Sequence, residues 1–146
     1  MSPKIRVDSC GAQHPSLMMI SDHDPVVADC DAQVHMLKRR VDSGLSGTRF
    51  VRQAKAHAFC SPLPRQWNSQ IIMQVWVKRT QSWTFIGFGP VRHRIPHPDK
   101  TYWLNKPCRQ GTFRAGLGVW GVSSTGQYWP EVIQWSKKMR IGNCTA

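Results

Sequence analysis

The sequence predicts a mainly β protein: a small antiparallel sandwich or barrel that follows a weakly ordered N-terminal arm. Three observations predict this class. After residue 50, apolar and polar residues alternate in short runs, turn-forming residues separate these runs, and no stretch of ten residues has the pattern of a good helix. The 146 residues correspond to one ordinary domain, and no run of about 18 apolar residues suggests a transmembrane helix.

Charge and aromatic residues divide the chain near residue 48. Residues 1–48 carry five basic and six acidic residues and no Phe, Tyr or Trp, whereas residues 49–146 carry fifteen basic residues against two acidic ones. A segment without aromatic side chains has little apolar surface to offset its chain entropy. We therefore expect residues 1–48 to be a weakly ordered arm and residues 49–146 to be the β domain, with residues 43–47 as a linker.

The arm itself has one weak pattern of regular structure. Asp29 or Asp31 is a candidate helix N-cap, and Gly44 is a candidate stop signal. Between them lie Val34, Met36, Leu37 and Val41, which suggest one short helix. The longest apolar run of the arm has four residues, which is too short for a secretory signal, so no signal peptide is predicted.

The β domain alternates along most of its length. The clearest case is residues 51–60, where Ala54, Ala56, Ala58 and Cys60 share one face. Later runs are richer in β-branched and aromatic residues, which suit a pleated, half-buried surface. The predicted strands are residues 51–60, 70–78, 83–88, 102–104, 113–121, 128–135 and 139–144.

Turns and prolines separate these strands. The polar residues 78–82 fit a hairpin turn, and residues 123–127 fit a second turn. Pro96 and Pro98 exclude a central strand or a helix from their segment. Pro130 indicates an edge position or a bulge in the strand that contains it.

Five cysteines bear on the cellular compartment. Cys10 and Cys30 lie in the arm, and Cys60, Cys108 and Cys144 lie in the β domain. One disulfide adds about 2–4 kcal/mol to a small domain. We favour Cys108–Cys144, because the two residues flank the last group of strands. Cys60–Cys108 is the close alternative, and reduced, buried cysteines are the other.

Short motifs in the β domain support a resemblance. Residues 56–60 read Ala-His-Ala-Phe-Cys, residues 81–87 read Gln-Ser-Trp-Thr-Phe-Ile-Gly, residues 108–115 read Cys-Arg-Gln-Gly-Thr-Phe-Arg-Ala, and Cys144 follows. In this order they resemble small secreted all-β proteins of high-GC Gram-positive bacteria, over about residues 50–144. The resemblance implies a disulfide-stapled β domain and export, and it supplies no catalytic residue.

Catalytic and nucleotide-binding motifs are weak. Gly116, Gly118 and Gly121 have the spacing of a dinucleotide fingerprint, but they lie inside an alternating strand rather than between a strand and a helix. More plausible roles for these glycines are a bulge or close packing under Trp rings. Asp99 and Glu131 are the only acids of the β domain. Asx-turn chemistry explains Asp99, and Glu131 fits a surface charge, so they do not suggest a glycosidase pair. We predict no catalytic residue, no cofactor and no enzyme activity.

A metal site is not predicted either. Cys10, His14, Cys30 and His35 are potential zinc ligands in the arm. Their spacing is not that of a known zinc motif, and no aromatic core surrounds them.

The basic charge is the strongest functional signal. The formal net charge is +12, and cations interleave with Trp103 and Phe113 in the second half of the chain. Charge combined with stacking rings is typical of single-stranded nucleic-acid binders, although alternating aromatic residues more often form a core. We predict an anion-binding set of Arg92, Arg94, Lys100, Arg109 and Arg114.

Two functions follow from these observations. The first is a non-enzymatic β domain of exported type that binds at a cell surface or envelope through a basic face. The alternative is a cytoplasmic basic module that binds nucleic acid. Redox state separates the two, because a formed disulfide argues against a reducing cytoplasm.

Overall fold

Nine β-strands form the regular structure of the part of the chain that the structure describes. The computed structural model describes residues 4–7, 28–42, 44 and 47–145, and this part of the chain contains no α-helix. The strands are β1 (Lys4–Val7), β2 (Ala28–Asp42), β3 (Thr48–Cys60), β4 (Gln66–Val77), β5 (Ser82–Phe88), β6 (Lys100–Pro107), β7 (Gly111–Val122), β8 (Tyr128–Trp135) and β9 (Met139–Ile141).

The strands form two antiparallel sheets, so the predicted fold class is confirmed as a β-sandwich. The first sheet has the order β1-β2-β3-β6, and the second has the order β5-β4-β7-β8. β9 pairs with β7 at Gly111–Phe113, while β8 pairs with β7 from Gly116 to Val122. β8 and β9 therefore follow one another along the same side of β7.

The long hairpin of β2 and β3 is the main difference from the sequence prediction. Its register extends from Cys30 opposite Cys60 to Asp42 opposite Thr48. The helix predicted between Asp29 and Gly44 is wrong, because the side chains of β2 alternate with a period of two. The inner face of β2 carries the buried residues Cys30, Ala32, Val34 and Met36. The outer face carries the exposed residues Gln33 and His35.

Residues 28–42, which were assigned to the arm, thus belong to the first sheet. Pairing with the alanines of β3 buries this strand without any aromatic residue of its own. Two glycines of the predicted linker make the hairpin turn. Gly44 and Gly47 both have positive φ, 67° and 83°, and the Gly47 N–H donates to the Gly44 carbonyl at 3.0 Å.

The second sheet follows the predicted strands closely. β4 and β5 form the expected hairpin around residues 78–81, and β7 and β8 connect through the expected turn at residues 123–127. The Ser123 N–H donates to the Gln127 carbonyl at 2.8 Å and closes this second turn. The last strand is shorter than predicted, since β9 ends at Ile141.

The core lies between the two sheets, and the side chains that the two sheets contribute to it differ in size. The first sheet contributes small residues such as Ala54, Ala56 and Ala58. The second contributes the largest fully buried side chains, among them Trp67, Trp129, Phe113, Met73 and Leu117.

Two disulfides staple the sandwich. Cys108 bonds Cys144, which is the pairing that the sequence favoured, across 36 residues. Cys30 bonds Cys60 across 30 residues, so the alternative Cys60–Cys108 bond is wrong. Composition does not predict the second bond, because Cys30 lies in the segment that lacks aromatic residues and is expected to be an arm. Cys10 lies outside the described residues. Together the two disulfides point to an oxidising, extracellular setting.

Candidate functional site

The segment that crosses from the second sheet to the first carries two of the predicted cations. It leaves β5 at Gly89, whose N–H donates to the Ile71 carbonyl at 2.8 Å. Arg92 and Ser69 then exchange two backbone hydrogen bonds of 2.7 and 2.8 Å, in an isolated bridge beside β4. This bridge fixes the backbone from which the Arg92 side chain extends.

The far end of the crossing segment is attached to β3. The Cys60 N–H donates to the Pro96 carbonyl at 3.1 Å, and the rings of His97 and Phe59 stack with centroids 5.3 Å apart. Prolines keep this segment out of either sheet, as the sequence predicted. It is therefore irregular but held at both ends, which gives its cations a defined position.

A groove lies between this segment and the edge strand β6. Its volume is about 360 Å³, within the range of small ligand sites. Three of the five predicted anion-binding residues meet here, although they are separated by up to eight positions in sequence. The residues that line the groove are Ile71, Pro90, Arg92, Arg94, Lys100, Thr101, Tyr102 and Trp103.

The cations of the groove are free to bind. In the described part of the chain, the side-chain nitrogens of Arg92, Arg94 and Lys100 have no hydrogen-bond or ion-pair partner. None of the lining residues just named is acidic. No group of the described residues therefore compensates these charges, and an anion that enters the groove displaces the counter-ions of solution.

Two aromatic side chains complete the groove. Trp103 is 53% exposed, which is unusual for the largest apolar side chain and suits a stacking surface. The Tyr102 hydroxyl is buried and has no hydrogen-bond partner among the residues that the structure describes. A buried hydroxyl without a partner costs free energy, so a polar ligand group that reaches it gains by satisfying it.

The other two predicted anion-binding residues lie elsewhere. Arg114 is on the second sheet, where its guanidinium group lies 3.8 Å from the Trp135 ring centroid and 4.5 Å from that of Trp83. Arg109 follows Cys108 and interacts electrostatically with Arg52. The structure thus divides the predicted set among three places, and only the groove brings several of its members together.

Arg52 is a cation outside the predicted anion-binding set, and it lies on the same face of β3 as Ala54 and Ala56. Its side chain is 9% exposed, its Nε donates to the Pro107 carbonyl at 2.7 Å, and its guanidinium lies 4.9 Å from the Phe113 ring centroid. Burial, and then the charge of Arg109, lower the pKa of Arg52. Its contacts are internal, so it serves the fold rather than a ligand. The alternation of residues in the sequence does not reveal this structural role, because a buried arginine and an exposed arginine look the same in that alternation.

Candidate residues for other chemistries are dispersed or already bonded. His57 is hydrogen-bonded to the Thr101 hydroxyl at 2.8 Å, and His93 to the Asn68 side chain at 2.7 Å. Cys30 is in a disulfide and cannot ligate zinc, while Cys10 and His14 lie outside the described residues. In the part of the chain that the structure describes, no group of three His, Cys, Asp or Glu side chains could hold a metal ion.

The glycines with dinucleotide spacing lie in the middle of β7, as expected. A Cβ atom on Gly116 would meet the Trp135 ring at 2.8 Å. The close packing under a Trp ring that the sequence suggested is therefore present at this position, and no strand-to-helix turn surrounds it.

No protein-family model, curated protein or solved structure matches the chain. The described residues contain no helix that has the length and apolar character needed to cross a membrane.

Proposed function

We propose that this protein is a non-enzymatic binding module that holds an acidic polymer, most simply an acidic polysaccharide, at a cell surface or envelope. The observation that carries the proposal is the convergence of Arg92, Arg94 and Lys100 on one groove whose described lining contains no acidic residue. The resemblance to small secreted β proteins stays a prediction and points in the same direction.

The groove suits a polymer better than a small anion. Its cations extend from two different segments, so a chain of evenly spaced negative charges can contact them in turn. Trp103 supplies a ring on which a sugar or a base can stack. The net charge of +12 adds a long-range attraction that raises the rate of encounter with any polyanion.

Nucleic acid is the second candidate, and the same groove favours it. Cations beside an exposed Trp are the elements that single-stranded nucleic-acid binders use, where each stacked base contributes about 1–3 kcal/mol. Against it stand the two disulfides, which are rare in a reducing cytoplasm. The setting therefore favours the polysaccharide.

The test measures binding of the full chain to three probes over a range of salt concentrations. The probes are a polyuronate, a single-stranded oligonucleotide and the neutral polysaccharide dextran. The groove variant is R92Q/R94Q/K100Q, and the matched control is K78Q/R79Q/R140Q, which removes the same charge from exposed positions outside the groove.

We expect the polyuronate to bind and dextran not to bind. The groove variant should lose about tenfold or more in affinity and about two to three units of the slope of log K against log salt, one for each cation removed. The control should lose less than about threefold. Equal losses in both variants would show that net charge and not the groove binds the polymer. If the oligonucleotide binds more tightly than the polyuronate, the proposed ligand becomes nucleic acid instead of a polysaccharide.

A further inference from the structure

A second pocket lies on the outer face of the second sheet, away from the core. We call it the Trp–Arg pocket. Its volume is about 520 Å³, and none of its lining residues in the described part of the chain is acidic. The residues that line it are Trp76, Trp83, Thr112, Arg114, Ser136 and Lys138.

Arg114 is held rigidly at the centre of this face. Its guanidinium group is in contact with the rings of both Trp83 and Trp135, at centroid distances of 4.5 and 3.8 Å. Its Nε donates to the Gln74 side-chain oxygen at 2.8 Å. Ring contacts and a hydrogen bond together fix the plane of the guanidinium, so little further entropy is lost when a ligand binds to it.

The neighbouring rings are themselves fixed. Trp135 lies against β7 at Gly116, where any side chain would collide with its ring. Trp83 meets Trp76 edge to face, with centroids 5.4 Å apart. The pocket therefore has a preformed aromatic wall, which is typical of ligand sites.

The charge of Arg114 is not paired with a carboxylate of any described residue. Its Nε bond goes to a neutral amide, and its terminal nitrogens have no protein acceptor within the described ranges. Burial lowers the pKa of Arg114, which reflects a charge that is partly removed from water without an anionic partner. Lys138 lines the same pocket and adds a second, exposed cation.

We propose that the Trp–Arg pocket binds the carboxylate of an acidic sugar residue. The two terminal nitrogens of a guanidinium match the two oxygens of a carboxylate, which gives a bidentate pair. The apolar face of a pyranose ring can then pack on Trp76, as C–H-rich surfaces do on aromatic rings. The Thr112 hydroxyl is the neutral polar group available to a sugar hydroxyl, since Ser136 already bonds the Ala115 N–H and the Lys137 carbonyl.

This site is independent of the groove. It lies on residues of β4, β5, β7 and the segment after β8, whereas the groove lies on the crossing segment and β6. A protein with both sites would contact an acidic polysaccharide in two places, and two linked contacts raise the apparent affinity for a polymer above that for either alone.

The experiment titrates the full chain with three small probes and follows tryptophan fluorescence and heat. Methyl glucuronide carries the sugar ring and the carboxylate, methyl glucoside carries only the ring, and acetate carries only the carboxylate. We expect methyl glucuronide to bind at least about tenfold more tightly than either of the other two. If acetate or methyl glucoside binds equally well, the assignment to an acidic sugar is overturned.

Two variants locate the binding. R114K keeps the positive charge but loses the two terminal nitrogens that match the two oxygens of a carboxylate. We therefore expect about a tenfold loss of affinity for methyl glucuronide. K138Q changes an exposed side chain and should lose about threefold, while the matched control K137Q, next to the pocket but not in its lining, should lose nothing. If R114K fails to fold, K138Q against K137Q decides the matter. Unchanged affinity in R114K or in K138Q would overturn the proposal.

The groove variant R92Q/R94Q/K100Q separates this inference from the proposed function. It should bind methyl glucuronide with the affinity of the unaltered protein. Loss of methyl glucuronide binding in that variant would assign the sugar to the groove and overturn the Trp–Arg pocket.

Discussion

The two sheets have the same alternation of inward and outward residues but opposite side-chain sizes. The first sheet turns alanines inward, such as Ala54 and Ala56, whereas the second turns Trp67, Phe113 and Trp129 inward. Two facing sheets lie about 10 Å apart, so large rings on both would not fit and small residues on both would leave cavities. The difference teaches that each sheet depends on the other for its packing.

The outer faces differ as well. The first sheet presents polar pairs, such as Gln53 with Asn105 at 2.9 Å and His57 with Thr101 at 2.8 Å. The second presents aromatic rings around Arg114. Arg114 therefore lies among the rings of one sheet, whereas the cations of the groove lie between the crossing segment and the edge strand β6 of the first sheet.

Removing a large ring from the second sheet should have the largest effect on stability. Trp129 is 1% exposed, and W129A leaves a cavity opposite small residues that cannot fill it. We expect a loss of about 3–5 kcal/mol in the free energy of unfolding, measured by denaturant titration. The adjacent Tyr128 is 65% exposed, and Y128A should change the same quantity by less than about 0.5 kcal/mol. Similar losses in both variants would contradict the packing described here.

Removing the Cys30–Cys60 disulfide of the first sheet should have the second-largest effect on stability. The double variant C30A/C60A removes the disulfide that joins β2 to β3. We expect a loss of about 2–4 kcal/mol, measured by thermal unfolding against the intact protein. The Cys108–Cys144 bond is less buried than the Cys30–Cys60 bond, so mild reduction without denaturant followed by alkylation should label Cys108 and Cys144 first. Earlier labelling of Cys30 would show that β2 leaves the sheet readily.

Enlarging a small residue of the first sheet should have an intermediate effect. Ala56 is fully buried and faces the rings of the second sheet, so A56L overfills the core. We expect destabilisation by about 1–3 kcal/mol in a denaturant titration. The control T84L places a leucine at an exposed position of β5 and should be close to neutral. A neutral A56L would mean that the alanine face does not limit the spacing of the sheets.

Neutralising the groove should have the smallest effect on stability. R92Q/R94Q/K100Q removes three charges without protein partners in the described residues, so the free energy of unfolding should change by less than about 0.5 kcal/mol. R52Q, in contrast, disturbs a buried side chain bonded to the Pro107 carbonyl and should cost about 1–3 kcal/mol. If the groove variant is the less stable of the two, those cations belong to the fold and not to a ligand site.

Much of the second sheet was predictable because its strands alternate strongly and end at clear turns. The run at residues 113–121 lies within β7, and residues 128–135 coincide with β8. β2 was not predictable from composition, because it contains no aromatic residue and is buried by its partner strand rather than by its own bulk. The Cys30–Cys60 bond was missed for the same reason.

The candidate sites show the same division between local and tertiary information. The local run of charges identified Arg92, Arg94 and Lys100 as candidates, but nothing local separated them from Arg114, which lies between two Trp rings. Strand pairing decides which residues become neighbours: it places Gln74 opposite Arg114 and Trp135 opposite Gly116.

The sequence alone therefore determined the β class, most strand positions and the basic character of the protein, since alternation, turn residues and charge are local properties. The tertiary structure decided the place of β2, the second disulfide and the separation of free cations from fixed ones. These depend on contacts between residues far apart in the chain, and the free energy of a side chain is set by what surrounds it after folding.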